Sequence, residues 1–144
     1  MRKNIIDTKW VLGVLALAVF CLPACNRELD VQTAFPFTIE AMPVQKEIVQ
    51  GQTAEIRCTL NRTGNFADTH YTIRYFQPDG KGTLRIDNGT VFKPNDRYPL
   101  TRDNFRLYYT SRSAERQSID IYIEDNFGQM KQLSFDFNSE TLKE

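Results

Sequence analysis

The chain has 144 residues, 41% of them apolar and 25% charged, with 18 basic groups balanced by 18 acidic ones. That is enough apolar material for one packed core, and six prolines and seven glycines argue against a fibrous or low-complexity chain. Zero formal net charge removes the overall basic balance of a nucleic-acid binder, while one histidine and three cysteines leave little for metal or nucleophilic chemistry.

The first segment reads as an address. Arg2, Lys3 and Lys9 outnumber Asp7 around the start of an uncharged apolar run from Trp10 to Leu22. A spanning helix needs about 20 apolar residues, so this shorter run reads as the hydrophobic region of a secretory signal over residues 1–24. It ends in Leu22-Pro23-Ala24-Cys25, which resembles a lipobox, the recognition site of bacterial lipoprotein signal peptidase. Pro23 is the one uncommon occupant. The resemblance implies cleavage after Ala24 and a covalent lipid on Cys25; an ordinary signal with an incidental cysteine is the alternative. Each buried acyl CH₂ contributes about 0.8 kcal/mol to anchoring. The expected location is therefore the cell envelope, with the outer membrane preferred, facing the periplasm or the surface. No other cofactor is expected.

Removing residues 1–24 takes Arg2, Lys3, Lys9 and Asp7 with it, leaving 15 basic groups against 17 acidic. Cys21 leaves too, so Cys58 is the one remaining thiol and no intrachain disulfide is available. Residues 25–32 are polar and read as a lipidated tether, and residues 33–140 as the folded domain.

Within that domain the dominant period is two. Phe35, Phe37, Ile39 and Ala41 alternate with polar residues, and Pro36 and Pro43 place the segment at a sheet edge, because proline cannot donate to a ladder. Lys46 to Val49 follows. Ala54, Ile56, Cys58 and Leu60 alternate next, placing Cys58 on the buried side as a small hydrophobe. Tyr71, Ile73 and Tyr75 precede the turn Gln77-Pro78-Asp79-Gly80, and Thr83 to Ile86 precedes Asp87-Asn88-Gly89. Phe105, Leu107 and Tyr109 form a further strand, then Ile119, Ile121 and Ile123. Asp125-Asn126-Phe127-Gly128 turns into Leu133, Phe135 and Phe137. The pattern predicts an all-β chain, an antiparallel immunoglobulin-like sandwich of about seven to eight strands, with a small barrel as the alternative.

Catalytic groups are sparse, and the chain is expected not to be an enzyme. His70 is the sole base for a nucleophile and falls in a loop, and one histidine with one buried cysteine makes a poor zinc site. Asp120 and Glu124 sit four apart on a solvated strand face rather than as a glycosidase pair. Asp79, Asp87, Asn88, Asp125 and Asn126 offer oxygens for calcium, yet each is also what a tight turn requires.

Charge is unevenly spread. Arg97, Arg102, Arg106, Arg112 and Arg116 share twenty residues with only Asp103 and Glu115, whereas Asp120, Glu124, Asp125, Asp136, Glu140 and Glu144 dominate the end. Neutralisation between neighbouring strands is the most ordinary reading. Docking of a partner protein is the second, and binding of nucleic-acid phosphates, with Tyr98 and Tyr108 stacking on bases, is the third. Phe76, Phe92, Tyr98, Tyr108 and Tyr122 fall on or near the side opposite the core, where a patch would suit a protein contact better than a sugar.

Several strings carry a family resemblance. They include Phe35-Pro36-Phe37-Thr38, Gly51-Gln52-Thr53-Ala54-Glu55-Ile56-Arg57-Cys58, Tyr75-Phe76-Gln77-Pro78-Asp79-Gly80-Lys81-Gly82, Pro94-Asn95-Asp96-Arg97-Tyr98-Pro99-Leu100 and Tyr122-Ile123-Glu124-Asp125-Asn126-Phe127-Gly128. Together these resemble the TraQ family of conjugative-transposon proteins, over the span from Phe35 to Phe137. The resemblance implies a small lipoprotein with an immunoglobulin-like fold among transfer genes, and supplies no catalytic residues. The expected role is a non-enzymatic accessory or structural component of a DNA-transfer apparatus. It would work through protein partners, with no small-molecule substrate and nucleic acid disfavoured. A surface-exposed module binding glycans or recipient-cell components is the alternative.

Overall fold

The computed structural model describes residues 34–139. The signal segment, Cys25 and the tether over residues 25–32 lie outside the described residues. Alternating sequence becomes strand wherever the period of two runs for several residues. The strands are β1 (Phe37–Ala41), β2 (Glu47–Ile48), β3 (Thr53–Arg62), β4 (Tyr71–Asp79), β5 (Gly82–Ile86), β6 (Val91–Phe92), β7 (Tyr98–Leu100), β8 (Asn104–Ser111), β9 (Gln117–Asp125) and β10 (Met130–Ser139). The eight expected runs are all present. The two additional strands, β6 and β7, are only two and three residues long.

Among the described residues, ten strands form two five-stranded sheets rather than a closed barrel. The first has the order β1-β3-β8-β5-β6 and the second β2-β10-β9-β4-β7. Pairing is antiparallel except between β2 and β10, which run parallel through Asn138↔Glu47 and Ser139↔Ile48. The four-strand order β1-β3-β8-β5 against β4-β9-β10 is the arrangement of an immunoglobulin-type sandwich. The chain changes sheets between β1 and β2, where Pro43 interrupts pairing, so both prolines of the first segment lie at an edge as expected.

The inward residues of the two sheets make one core. Ala54, Ile56, Cys58 and Leu60 of β3 and Phe105, Leu107 and Tyr109 of β8 meet Ile73 and Tyr75 of β4 and Ile119, Ile121 and Ile123 of β9, all of them buried. Aromatic pairs bridge the sheets: Tyr109 stacks on Phe137 with ring centroids 5.2 Å apart, and Phe37 meets Tyr71 edge-on at 5.1 Å. Such pairs contribute about 0.5–1.5 kcal/mol each beyond area burial.

A buried polar network closes one end of this core. Gln117 has no exposed surface. Its Nε2 donates to Ser111 Oγ (2.8 Å) and to the carbonyls of Ser113 and Glu115, and its Oε1 accepts from the Tyr109 hydroxyl at 2.6 Å. Gln77 Nε2 donates to that hydroxyl at 2.6 Å. The β8–β9 connection is thus fixed to β8.

Candidate functional site

Burial of alternate residues on β3, β5 and β8 forces the intervening ones outward. On β3 these are Glu55 and Arg57, on β8 Arg106 and Tyr108, and on β5 Arg85. The register sets Arg57 directly opposite Arg106, and Tyr108 between Glu55 on one side and Arg85 on the other. Directly opposed like charges destabilise a sheet, by up to roughly 1 kcal/mol on the scale of cross-strand pairs. One carboxylate serves both arginines: Glu55 Oε1 accepts from Arg57 Nε at 2.8 Å and lies 3.6 Å from Arg106 Nε. The hydrogen bond from Arg57, aided by the charges of Arg57 and Arg106 and opposed by partial burial, holds the Glu55 carboxyl below its ordinary pKa. The Arg85 guanidinium lies 4.8 Å over the Tyr108 ring.

Two guanidinium groups therefore share one carboxylate at the centre of the first sheet, and a third, that of Arg85, stands beside them over Tyr108. Glu40 stands one strand further out on β1, and Asp87 enters from the β5–β6 turn, where its backbone N–H donates to the Arg106 carbonyl. Met42, 58% exposed, adjoins Arg57 through a hydrogen bond from its N–H to the Arg57 carbonyl, and Val91, 57% exposed, lies opposite Arg85. A groove of about 390 Å³ runs among Met42, Arg57, Thr59, Asp87, Asn104 and Arg106. The arginine-bearing centre of this shallow surface is cationic, with carboxylates and apolar side chains at its margins. Its guanidinium forks match carboxylates or phosphates geometrically.

The outer face of the second sheet is built oppositely. Arg74 lies over Phe76 (5.3 Å) and Tyr122 (5.6 Å), and donates a short hydrogen bond to Glu124. Arg97 Nε donates to the other oxygen of Glu124 at 2.7 Å, and Arg116 pairs with Asp136 at 3.2 Å. Asp120 accepts from Ser134 Oγ at 2.6 Å. Here Arg97 and Arg116 of the arginine-rich stretch pair with Glu124 and Asp136 of the acidic end, whose Glu140 and Glu144 lie outside the described residues.

The five clustered arginines of the sequence consequently do not share one surface. Arg97 and Arg116 belong to these second-sheet ion pairs. Arg102 lies in the β7–β8 loop beside a separate pocket of about 180 Å³ lined also by Asp87, Asn88 and Pro99. Arg112 follows β8, with its N–H donating to the Lys81 carbonyl. Only Arg106 and Tyr108 lie on the cationic face. Tyr98 is half-buried, stacked 4.4 Å from Phe92, and its hydroxyl accepts from the Lys93 N–H at 2.9 Å. The placement of Phe92 on the outer side is corrected: short β6 turns it into the core, at 3% exposure. Phe76 and Tyr122 pack around Arg74 rather than forming a flat platform.

Sequence reasoning missed Arg57, Arg85 and Glu55 as members of the face. Outward parity on β3 and β5 was available as a signal, but the opposition of Arg57 to Arg106 depends on register across fifty residues. The turn carboxylates and amides are engaged in local hydrogen bonds. Asp125 Oδ1 accepts from the N–H groups of Phe127 and Gln129, and Asn88 Oδ1 from that of Thr90. His70 is exposed, and its N–H donates to Asn126 Oδ1 at 2.8 Å.

Comparison with known proteins finds relatives for the chain as a whole. The family model described as TraQ conjugal transfer protein matches residues 8–140. A crystal structure of a conjugative transposon lipoprotein from Bacteroides eggerthii is 52% identical, with 73% of this chain and 99% of that chain covered and a TM-score of 0.69. A lipoprotein from Bacteroides thetaiotaomicron, solved by solution NMR, is 55% identical over 81% of this chain and 89% of that one, with a TM-score of 0.69. A conjugate transposon protein from Bacteroides vulgatus, also solved by NMR, is 54% identical over 82% and 96%, at a TM-score of 0.66. No curated protein matches the chain.

Proposed function

As this chain belongs to the TraQ family of conjugal transfer proteins, we propose that it is a lipid-anchored, non-enzymatic accessory component of a conjugative apparatus that docks a partner protein through its first-sheet face. The observation that carries the docking reading is the directly opposed pair Arg57 and Arg106, with Arg85 beside them and Glu55 as the shared counter-charge. Glu55 offsets part of the repulsion within the isolated domain, and a partner's carboxylates would relieve the rest by pairing with the exposed guanidinium groups of Arg57 and Arg106. Met42 and Val91 supply apolar contact at the margins. Anchoring follows from the lipobox at Leu22-Pro23-Ala24-Cys25, with the lipid on Cys25 and the outer membrane as the preferred site.

Docking and catalysis make different demands on the chain. A partner surface needs complementary charge and accessible area, both of which the first sheet offers. Catalysis by a nucleophile needs a base held beside it, and the exposed His70 is held only through its backbone. Deleting the gene from the mobile element and complementing it tests the reading. Wild-type complementation restores transfer frequency, whereas the Arg57→Glu/Arg106→Glu chain, present in the envelope at wild-type level, restores less than a tenth of it. Full restoration by that variant refutes docking through this face. Unaltered transfer after deletion refutes the transfer role.

A further inference from the structure

We propose that the end of the sandwich formed by the β3–β4 loop and the β9–β10 turn seats its apolar tip in the interface of the phospholipid bilayer that holds the anchor. This inference rests on the reading that Cys25 carries lipid. Phe127 is 38% exposed and Met130 52% exposed. The Phe127 ring lies 5.9 Å from that of half-buried Phe66, so the two loops jointly present an aromatic tip.

This tip is held outward by dedicated hydrogen bonds. The Asn126 side chain donates to the Asp68 carbonyl at 2.9 Å and accepts from the His70 N–H, and its own N–H donates to the His70 carbonyl. Asp125 Oδ1 accepts from the N–H groups of Phe127 and Gln129, and Oδ2 accepts from Gln129 Nε2 at 2.6 Å. Both loops are thus tied together, with Phe127 packed on Phe66 and over a third of its surface left exposed.

Where the domain begins identifies the cover. Gln129 Nε2 also donates to the Phe35 carbonyl at 3.1 Å, and the Phe35 ring packs so closely on Gly64 that an added Cβ would lie 2.5 Å from it. The described chain therefore starts beside Gly64 and Gln129, in the same two loops that carry Phe66 and Phe127. Residues 26–34 reach at most about 30 Å from the lipid-bearing cysteine when fully extended. The far end of the sandwich is a further strand length away, roughly 30 Å for ten residues. The tip therefore lies at the end of the domain that the tether joins. Aromatic and unbranched apolar side chains suit the boundary between headgroups and acyl chains. Two or three of them give weak contact alone, and the tether raises their effective concentration at the surface.

The sole tryptophan, Trp10, precedes the cleavage site, so the processed chain offers a blank background for a fluorescent probe. The full chain, expressed with its own signal and shown by mass to carry lipid, is reconstituted into phosphatidylethanolamine/phosphatidylglycerol vesicles containing brominated lipid. Phe127→Trp and, independently, Met130→Trp should lose at least half their fluorescence, while Ala114→Trp in the β8–β9 loop at the other end keeps it. Lipidated chains whose 127 and 130 probes are quenched no more than the 114 probe overturn the proposal while sparing the anchor. A mature chain without lipid overturns the anchor reading and this proposal with it.

Discussion

Cys58 shows how much a single position in an alternating run can determine. It is almost fully buried between the sheets, and burial pushes its thiol up to about 12. Because the folded state holds the proton more tightly than the unfolded chain, unfolding releases it once the pH exceeds the unfolded value near 9. Stability is unaffected below that value and falls as pH rises towards 12. Relative to Cys58→Ala, the wild-type chain should lose about 1.4 kcal/mol per pH unit between pH 9.5 and 11, read from urea unfolding. Equal pH dependence of the two chains would mean that the thiol is solvated. Gln117 is the opposite case. Nothing in Arg116-Gln117-Ser118 announces a buried amide, because its partners come from β8 and the loop before it. Gln117→Leu leaves the Tyr109 hydroxyl and the loop carbonyls without this partner, and should cost about 2–3 kcal/mol in denaturant unfolding. Gly82→Ala should be comparably harmful, since an added Cβ would lie 2.3 Å from the Tyr109 hydroxyl oxygen.

At the scale of elements, long strands were legible and short ones were not. β3, β8, β9 and the second half of β10 carry enough alternating residues to reveal a period, and prolines marked the edge segment correctly. β6 and β7 are too short to show one; they exist because the chain must return from β5 to the margin of β4. Edges explain another residue. Among the described residues β2 pairs with only Asn138 and Ser139, leaving Met130–Phe137 at the sheet margin. Lys131 occupies the same parity as inward Leu133 and Phe135 yet is exposed, a charge placed where it discourages pairing with another chain. Lys131→Val should shift sedimentation towards self-association at raised concentration, and unchanged sedimentation would remove that role. The Arg57–Arg106 opposition was illegible for a different reason: parity is local, but register is not. Arg106→Thr relieves it, so the variant should unfold no more easily than wild type, within about 0.5 kcal/mol, while losing partner binding. Clear destabilisation would show that Arg106 serves the fold.

For the whole molecule, the uneven charge in the sequence resolves into two unlike faces. One pairs Arg74, Arg97 and Arg116 with Glu124 and Asp136; the other sets Arg57 and Arg106 on the single carboxylate of Glu55, with Arg85 beside them and Glu40 and Asp87 at its margins. Composition could report the imbalance along the chain but not its division between sheets, which is set by strand order. An acidic partner on the first face should bind more weakly as salt rises, because the Debye length falls from about 30 Å at 0.01 M to about 10 Å at 0.1 M. The Glu55 carboxyl, held low by Arg57, stays ionised until the pH drops below the ordinary carboxylate range. Below that point its stabilising contribution is lost and the face becomes more cationic. The central claim is that the first-sheet face, and not the second, meets the partner. A photoreactive phenylalanine placed separately at Tyr108 and at Tyr122, in cells carrying the mobile element, tests it most directly. Irradiation is predicted to give a discrete protein adduct from position 108 and none from position 122; adducts from 122 alone, or from neither, would contradict it.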